Sequence, residues 1–204
     1  MIMKKTMTVI CMFINSMLFS ALSIQDTSLV EVKKEIPSIV VELWYATPEN
    51  FTKQTIYTTA ICYLRKDVAQ ALKDVQDEFA MQGLGLKIWD GFRPVSAQWK
   101  LWNICPDEKY VSNPAKGGRH TRGTAVDVTL ISLKDGQALE MPTGFDDFTE
   151  KAWHTYEDLD AKVKKNRELL KLVMEKHGFE SITTEWWHYD FKGWRDCPEI
   201  DVEL

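Results

Sequence analysis

The hydrophobic period of this sequence changes along the chain from that of a helix to that of a strand and back. Apolar residues recur at helical spacing from Val68 to Phe79 and again within residues 160–177. Short runs rich in β-branched and aromatic residues lie between them, at 38–47, 86–90, 124–131 and 185–191. A turn at 134–137 is typical of a hairpin and predicts a return strand at 138–142. We therefore predict a single α+β domain with a mainly antiparallel central sheet flanked by helices.

The first 23 residues differ from the rest of the chain. A short basic opening precedes a long apolar run without charge, and Ala21 and Ser23 have the small side chains that signal peptidases read. These features predict a signal peptide over residues 1–23 and a mature domain over residues 24–204. The protein is then exported, to the periplasm, with no stable membrane insertion after cleavage. The run is also long enough to be read as an uncleaved anchor.

Charge and cysteine content narrow the possible partners. The formal net charge of -5 argues against a nucleic-acid or anionic-membrane partner. Beyond the predicted signal peptide the cysteines are Cys62, Cys105 and Cys197. In an oxidising compartment we expect one disulfide and one free thiol, and the sequence does not identify the pair.

Eight tryptophans predict a rigid aromatic core and aromatic walls around a site.

Two histidines with acidic neighbours are the candidate metal ligands. His120 precedes Gly123 and Asp127 at the start of a predicted strand, and His188 follows Glu185 by three residues. An acid inside an apolar strand is costly to bury unless it binds a cation or is well hydrogen-bonded. Two histidines and one carboxylate are enough for a catalytic zinc ion with an open position, and they suit zinc best among the divalent metals. A second carboxylate, that of Glu185, would take a proton from the bound water.

The spacing of these residues requires a bent backbone. Seven residues separate His120 from Asp127, and on a straight strand their side chains would point to opposite faces. A turn at Gly123 would bring both to one point. Glu185 and His188 are three residues apart, so either that strand is bent or its boundaries differ from the prediction.

Other chemically active side chains are less clearly placed. Arg93 lies between Phe92 and a proline at the end of a predicted strand. It forms either a surface ion pair or a guanidinium group that stabilises a developing oxyanion, and the residues alone leave both open. His177 lies where a predicted helix ends, which favours a structural role, and His154 has no pattern that assigns it one.

Three motifs in fixed order resemble one family of enzymes. The stretches GFRP at 91–94, HTRGTAVDVTL at 120–130 and EWWHY at 185–189 are similar to those of the D-alanyl-D-alanine dipeptidases. These are the VanX-type zinc peptidases, relatives of zinc D-Ala-D-Ala carboxypeptidases. Segments 43–57 and 62–72 resemble the N-terminal region of that family. The resemblance covers roughly residues 40–195.

The resemblance implies a role for each candidate residue. His120, Asp127 and His188 match the ligands of one zinc ion. Glu185 matches the general base that later donates a proton to the leaving amine, and Arg93 matches the residue that stabilises the tetrahedral intermediate.

Substrate recognition is the one place where the chain departs from the family. Asp146 matches the aspartate that holds the ammonium group of the dipeptide, with Asp147 one residue away; a helix cap or solvated acid is the alternative. The family usually has a serine two residues before the first histidine that helps bind the substrate carboxylate, and here that residue is Gly118. Either a backbone amide or Arg119 replaces it, or the preferred substrate differs.

We therefore expect a zinc peptidase that hydrolyses the dipeptide D-Ala-D-Ala to two D-alanines. Export implies that it acts on dipeptide released outside the membrane. A D,D-carboxypeptidase that trims peptidoglycan stem peptides and a zinc-stabilised binding module without catalysis are the alternatives. The sequence leaves the oligomeric state open.

Overall fold

The structure, a computed structural model, describes residues 28–204; the predicted signal peptide lies outside them. Seven strands are present in this part of the chain: β1 (Leu29–Glu31), β2 (Val40–Val41), β3 (Tyr63–Arg65), β4 (Leu84–Asp90), β5 (Ala125–Ser132), β6 (Phe179–Ile182) and β7 (Glu185–Phe191). Its four α-helices are α1 (Val32–Glu35), α2 (Lys66–Ala80), α3 (Val95–Ile104) and α4 (Ala161–Lys176). The α+β class predicted from the hydrophobic pattern is confirmed.

A five-stranded sheet forms the centre of the molecule, in the order β2-β4-β5-β7-β6. The β4–β5, β5–β7 and β6–β7 pairs are antiparallel, and only the short β2 runs parallel to its neighbour β4. A separate antiparallel pair joins β1 to β3. The prediction of a mainly antiparallel sheet is therefore confirmed, and the two central strands, β5 and β7, are the ones that carry the acidic and histidine motifs.

Two long helices cover this sheet. Helix α2 packs against β4, helix α4 packs against β6, and the two helices contact each other. Both correspond to segments with helical hydrophobic period, because residues such as Leu72 and Leu170, which recur on one side of each helix, are fully buried. Helix α2 ends before Gly83, whose positive φ of 71° is a conformation that glycine adopts without strain.

An aromatic cluster lies beside the sheet. Trp89 on β4 has its ring 5.2 Å from Phe145 and 5.7 Å from Trp186 on β7. Trp44 and Trp187 complete the cluster around Phe145, at 5.8 Å each. The prediction of an aromatic core is confirmed, and the cluster fixes the loop that precedes Asp146.

Two local predictions are wrong in extent. The predicted strand over 38–47 is reduced to Val40–Val41 and is followed by a 3-10 helix at Trp44–Ala46, whose two aromatic rings pack against Phe145. The predicted return strand at 138–142 is reduced to one bridge, between Ile131 and Ala138. Pro142 has no N–H with which to continue that pairing.

The expected disulfide is absent from the described residues. No disulfide joins Cys62, Cys105 and Cys197 to one another. Cys62 is buried against Gly91, Cys105 follows helix α3, and Cys197 has its sulfur 3.8 Å from the carbonyl of Gly193. The three side chains lie in different surroundings. None of the helices within residues 28–204 is both long enough and apolar enough to cross a membrane.

Candidate active site

A small cleft opens between the sheet and the loops that precede β5 and α4. Its volume is about 210 Å³, below the roughly 300–1,000 Å³ of pockets that hold drug-sized ligands. All six site residues predicted from the sequence line this cleft: Arg93, His120, Asp127, Asp146, Glu185 and His188. Residues that are up to 95 positions apart in the chain therefore meet in a space suited to a small molecule.

Two strands and one turn bring the three predicted metal ligands together. Asp127 on β5 and His188 on β7 are directly opposite each other in the sheet, with His188 Nδ1 3.0 Å from Asp127 Oδ1. His120 Nε2 lies 3.3 Å from His188 Nδ1 and 3.4 Å from Asp127 Oδ2. Four ligands around a zinc ion lie roughly 3.3–3.6 Å from one another, since each bond is about 2.0–2.2 Å long. Within residues 28–204 this is the one group of at least three histidine, cysteine or acidic side chains whose candidate ligand atoms all lie within 4.8 Å of one another.

A left-handed turn aims His120 at the other two ligands. His120 lies in the 3-10 helix His120–Arg122, and Gly123 follows with φ of 67° before β5 begins at Ala125. A Cβ at Gly123 would lie 3.0 Å from a methyl carbon of Leu29, so both backbone conformation and space favour glycine. The predicted turn at Gly123 is confirmed.

Each histidine has its second ring nitrogen held by an acceptor. His120 Nδ1 lies 2.8 Å from the carbonyl oxygen of Gly91, and His188 Nε2 lies 3.0 Å from Asp190 Oδ1. These contacts orient both rings and leave Nε2 of His120 and Nδ1 of His188 directed at the shared point. The same arrangement supports metal-binding histidines in general, because it fixes the tautomer and raises the basicity of the ligand.

The electrostatic balance of the site favours a cation. Burial alone would lower the pKa of His188, but the carboxylates of Asp190 and Asp127 outweigh it and raise that pKa to about 10. Burial would likewise raise the pKa of Asp127, yet His120 and His188 hold it well below its usual range. The carboxylates thus favour positive charge at the point where the three side chains meet, which is the charge a divalent metal ion supplies.

Glu185 lies beside this point because β7 is bent. Ser181 on β6 pairs with Tyr189, but the next residue, Ile182, pairs with Glu185, so residues 186–188 bulge out of register with β6. Glu185 Oε2 is consequently 3.9 Å from His188 Nδ1. The backbone bend that the three-residue spacing required is present.

Burial sets the proton affinity of Glu185. Its side chain is about four-fifths buried, and this loss of water raises the pKa of the carboxyl; the nearby charge of Asp127 adds to the effect, and His188 opposes it. A carboxylate with a raised pKa is a better proton acceptor, and it can return the proton to a leaving group.

Arg93 is buried and forms a buried ion pair, so the surface ion pair considered for it is wrong. Its Nη2 donates to Asp90 Oδ2 at 2.5 Å, Nη1 donates to Gln98 Oε1 at 2.8 Å, and Nε donates to the hydroxyl of Tyr57 at 3.3 Å. Three of its five N–H groups are engaged, which leaves one on each terminal nitrogen. The guanidinium is therefore rigidly held at the wall of the cleft with donor capacity to spare.

Asp146 lines the cleft as well. Its backbone has a positive φ of 56°, a strained conformation that aspartate tolerates better than most residues, and its Oδ2 accepts a 2.9 Å hydrogen bond from the hydroxyl of Tyr45. Burial raises the pKa of Asp146 well above its usual range, and the charge of Asp127 adds to this. A cationic partner would reverse that shift. Asp147, in contrast, caps the backbone N–H of Thr149 and does not line the cleft.

The C-terminal segment anchors the loop that carries His120. Glu199 accepts hydrogen bonds from the Gly118 N–H, at 3.1 Å, and from the Thr121 hydroxyl. The Ile200 N–H donates to the carbonyl of Thr121 at 2.9 Å. The loop is thus fixed by residues about eighty positions later in the chain.

The sequence analysis missed four residues that support the site: Tyr45, Asp90, Asp190 and Glu199. Asp190 and Asp90 are close in sequence to site residues, since Asp190 follows His188 by two residues on the same face of a strand and Asp90 precedes its ion-pair partner Arg93 by three. Tyr45 and Glu199 contact the site from 101 and 81 positions away in the chain, through Asp146 and Gly118. No local pattern marks such partners.

These features define the class of site: a metal-dependent hydrolase centre, with three ligands, a neighbouring carboxylate and a confined cleft. The ligand types and spacing fit a zinc ion. The comparison with known sequences then identifies the family. The sequence model of the peptidase M15 family, described as D-Ala-D-Ala dipeptidase, matches residues 25–196, and this chain belongs to that family.

Similar proteins agree with this assignment. The D-alanyl-D-alanine dipeptidase of Escherichia coli strain K12 is 38% identical over 164 residues, which span 80% of this chain and 84% of that protein. The enzyme of the same name from Enterococcus faecalis strain V583 is 35% identical over 165 residues, 71% of this chain and 82% of its own length.

The similar solved structures are more distant in sequence. A vancomycin-resistance D,D-pentapeptidase VanY, determined with Zn(II), has 14% identity and a TM-score of 0.43, over 68% of this chain and 78% of that chain. The LD-carboxypeptidase LdcB has 18% identity and a TM-score of 0.46, over 84% of this chain and 72% of its own.

Proposed function

We propose that this protein is a zinc-dependent dipeptidase that hydrolyses D-Ala-D-Ala to two molecules of D-alanine. The observation that carries the proposal is the meeting of His120, Asp127 and His188 at one point, with Glu185 beside it, in a small cleft that Asp146 also lines. The family membership of the chain supports the substrate.

The three ligands would hold one zinc ion. When bound, zinc lowers the pKa of a coordinated water towards about 7 and polarises the carbonyl of the scissile amide. The two second-sphere acceptors, the Gly91 carbonyl and Asp190, keep the histidine rings directed at the ion.

Proton transfer falls to Glu185. Its carboxylate takes a proton from the attacking water and donates it to the nitrogen of the leaving D-alanine when the amide bond breaks. The raised pKa suits both steps, because the group must bind the proton after attack and release it again. Arg93, with two N–H groups free of its neighbours, stabilises the oxyanion that forms as the carbonyl carbon becomes tetrahedral.

Asp146 limits the length of the substrate. The Asp146 carboxylate is buried and, within residues 28–204, has no cationic partner among its hydrogen bonds. Such a group is a binding site for the free ammonium of the first residue of the dipeptide. A longer stem peptide has an amide at that position, which brings no charge and needs more room than the cleft provides. This favours the dipeptidase over a D,D-carboxypeptidase on the same fold.

The test is a substrate panel on the purified protein. We expect two D-alanines from each D-Ala-D-Ala, loss of turnover when a chelator removes the metal, and recovery on addition of zinc. A pentapeptide stem from which one D-alanine is released at a comparable rate would instead support the carboxypeptidase. No hydrolysis of either peptide by zinc-loaded protein would refute the proposal.

A paired variant tests the base. Glu185→Gln should retain zinc and the affinity for the dipeptide but reduce kcat by at least roughly 100-fold, since general acid–base catalysis is worth about 10²–10⁴. Glu180→Gln, an exposed residue on the neighbouring strand β6, is the matched control and should keep full activity. Turnover retained by Glu185→Gln would show that the base is misassigned.

We also propose that the protein is exported and acts in the periplasm on dipeptide released there. The basic and apolar opening of the sequence supports this. Cell fractionation and N-terminal sequencing test it; a cytoplasmic protein that retains Met1 would contradict it.

A further inference from the structure

We infer that Arg119 binds the C-terminal carboxylate of the dipeptide and so determines specificity in this chain. The inference rests on the proposed function. It concerns the position where the chain has Gly118 instead of a serine, so that the usual hydroxyl donor is missing.

The backbone amide of Gly118 is already engaged. Its N–H lies 3.1 Å from the hydroxyl oxygen of Thr121 and 3.1 Å from Glu199 Oε1. A carboxylate from a substrate would have to displace another carboxylate from this N–H. The amide therefore does not replace the missing serine.

A side chain at Gly118 would also be crowded. A Cβ there would lie 3.1 Å from Thr121 Oγ1, so the Thr121 hydroxyl would have to move by a few tenths of an ångström. The hydrogen bonds among Gly118, Thr121 and Glu199 thus occupy the region that a serine side chain would enter. These hydrogen bonds anchor the loop that carries His120, so the C-terminal carboxylate of the dipeptide needs another hydrogen-bond donor.

Three cationic side chains line the cleft: Arg93, Lys109 and Arg119. Arg93 is tied to Asp90, Gln98 and Tyr57, and its remaining donors face the reacting carbonyl in the proposed mechanism. Lys109 is exposed, and its ammonium group lies over the ring of Tyr110 at 5.1 Å. Arg119 is the remaining cation and the one next to a metal ligand.

The Nε and the guanidinium plane of Arg119 are held by neighbouring residues, whereas its two terminal nitrogens are available to a ligand. Nε lies 2.9 Å from Asp190 Oδ2, without the alignment of a hydrogen bond, and the guanidinium carbon lies 5.2 Å from the centre of the Trp194 ring. Neither terminal nitrogen has a hydrogen-bond partner within residues 28–204. The side chain is one-third exposed, so these nitrogens are accessible to a ligand.

The chemistry of this arrangement matches a carboxylate. A guanidinium group presents parallel N–H donors that pair with both oxygens of a carboxylate, and the ion pair and aromatic ring fix it in advance. The acids Asp127, Glu185 and Asp146 would repel a substrate carboxylate from the rest of the cleft. Arg119 supplies the local positive charge that overcomes this repulsion.

The test separates binding from catalysis. In zinc-loaded protein, Arg119→Met should raise KM for D-Ala-D-Ala roughly 10- to 100-fold and change kcat less than about threefold, as expected for loss of a charged hydrogen-bond pair. In a Glu185→Gln background, calorimetry should show the same loss in Kd for the intact dipeptide. The uncharged amide D-alanyl-D-alaninamide should be affected much less than the acid.

Arg195→Met is the matched control. Arg195 stacks on the same Trp194 ring, at 4.5 Å, but does not line the cleft, so its loss changes the net charge equally and should leave KM unchanged. Arg119→Lys keeps the charge without the paired N–H donors and should give an intermediate KM.

Three results would overturn the inference. The first is an unchanged KM in Arg119→Met, the second an equal effect on acid and amide, and the third a loss of bound zinc or of kcat, which would make Arg119 a positioning residue that acts through Asp190. Failure of the wild-type protein to bind or hydrolyse the dipeptide would refute the proposed function itself. The two failures are therefore distinguishable.

Discussion

His154 should make the stability of this protein fall as the pH falls below 7. The imidazole is buried, with 8% of the residue exposed, and neither ring nitrogen has a hydrogen-bond partner within residues 28–204. Burial, together with the nearby cations Lys171 and Arg167, lowers the pKa of His154 to about 4. Its ring packs 6.3 Å from that of Tyr189, whose hydroxyl also lacks a partner in this part of the chain.

The magnitude follows from the difference between the folded and unfolded states. An unfolded chain binds a proton at His154 with a pKa near 6.5, whereas the folded protein does so only near about 4. Below pH 6.5 the unfolded state therefore binds more protons, and the free energy of unfolding decreases as the pH falls. Between pH 7.5 and pH 5 this one residue should remove about 2 kcal/mol, and the loss levels off only below about pH 4.

Urea unfolding of the wild type and of His154→Phe at pH 7.5 and pH 5 measures this term. Other titrating groups are common to both proteins and cancel in the difference. We expect the wild type to lose about 2 kcal/mol more than the variant over this interval. Should the variant fold poorly, the pKa of His154 can be read from its imidazole proton resonance in the wild type. Equal pH dependence in the two proteins, or a resonance that titrates near 6.5, would refute the argument.

Three further substitutions test the site. Asp190→Ala leaves Nε2 of His188 without its acceptor, and zinc affinity measured by chelator competition should fall about 10- to 100-fold, with exposed Asp196→Ala unchanged. Asp146→Asn should raise KM for D-Ala-D-Ala about 10-fold or more but leave KM for the N-acetyl derivative unchanged. Asp147→Asn, which alters only a backbone cap, should have little effect on either KM. Equal effects of Asp146→Asn on the two substrates would contradict the ammonium site. Gly123→Ala should lower the free energy of unfolding by about 1–2 kcal/mol through its positive φ. Gly136→Ala should cost less, because Gly136 has a similar φ of 72° but its added Cβ would meet no atom within 4 Å, whereas that at Gly123 would lie 3.0 Å from Leu29.

The features that could be predicted from the sequence are those with a local cause. Helix α4 was expected at 160–177 and lies at Ala161–Lys176, because an apolar stripe has to face the sheet. The strand at Glu185–Phe191 and the turn at Gly123 likewise follow from residues next to each other. The buried acid Asp127 predicted a cation or strong hydrogen bonds, and the two histidines are its partners.

The features that could not be predicted depend on contacts between distant segments. No local signal pairs Tyr45 with Asp146 across 101 positions, or Glu199 with Gly118 across 81. The predicted disulfide was wrong for the same reason, because the number of cysteines does not show which thiols become neighbours in the fold. Local patterns indicated the candidate metal ligands, whereas the residues that hold them in position could be identified only from the fold.

The long connection between Glu199 and the His120 loop bears on how the protein matures. His120 and His188 are 68 positions apart, and the segment that secures the loop comes later still. Contacts of such high sequence separation form late in folding, since a large loop has to close first. We therefore expect capture of the metal to follow collapse of the whole sheet, because a partly folded chain would not yet have brought the three candidate ligands together.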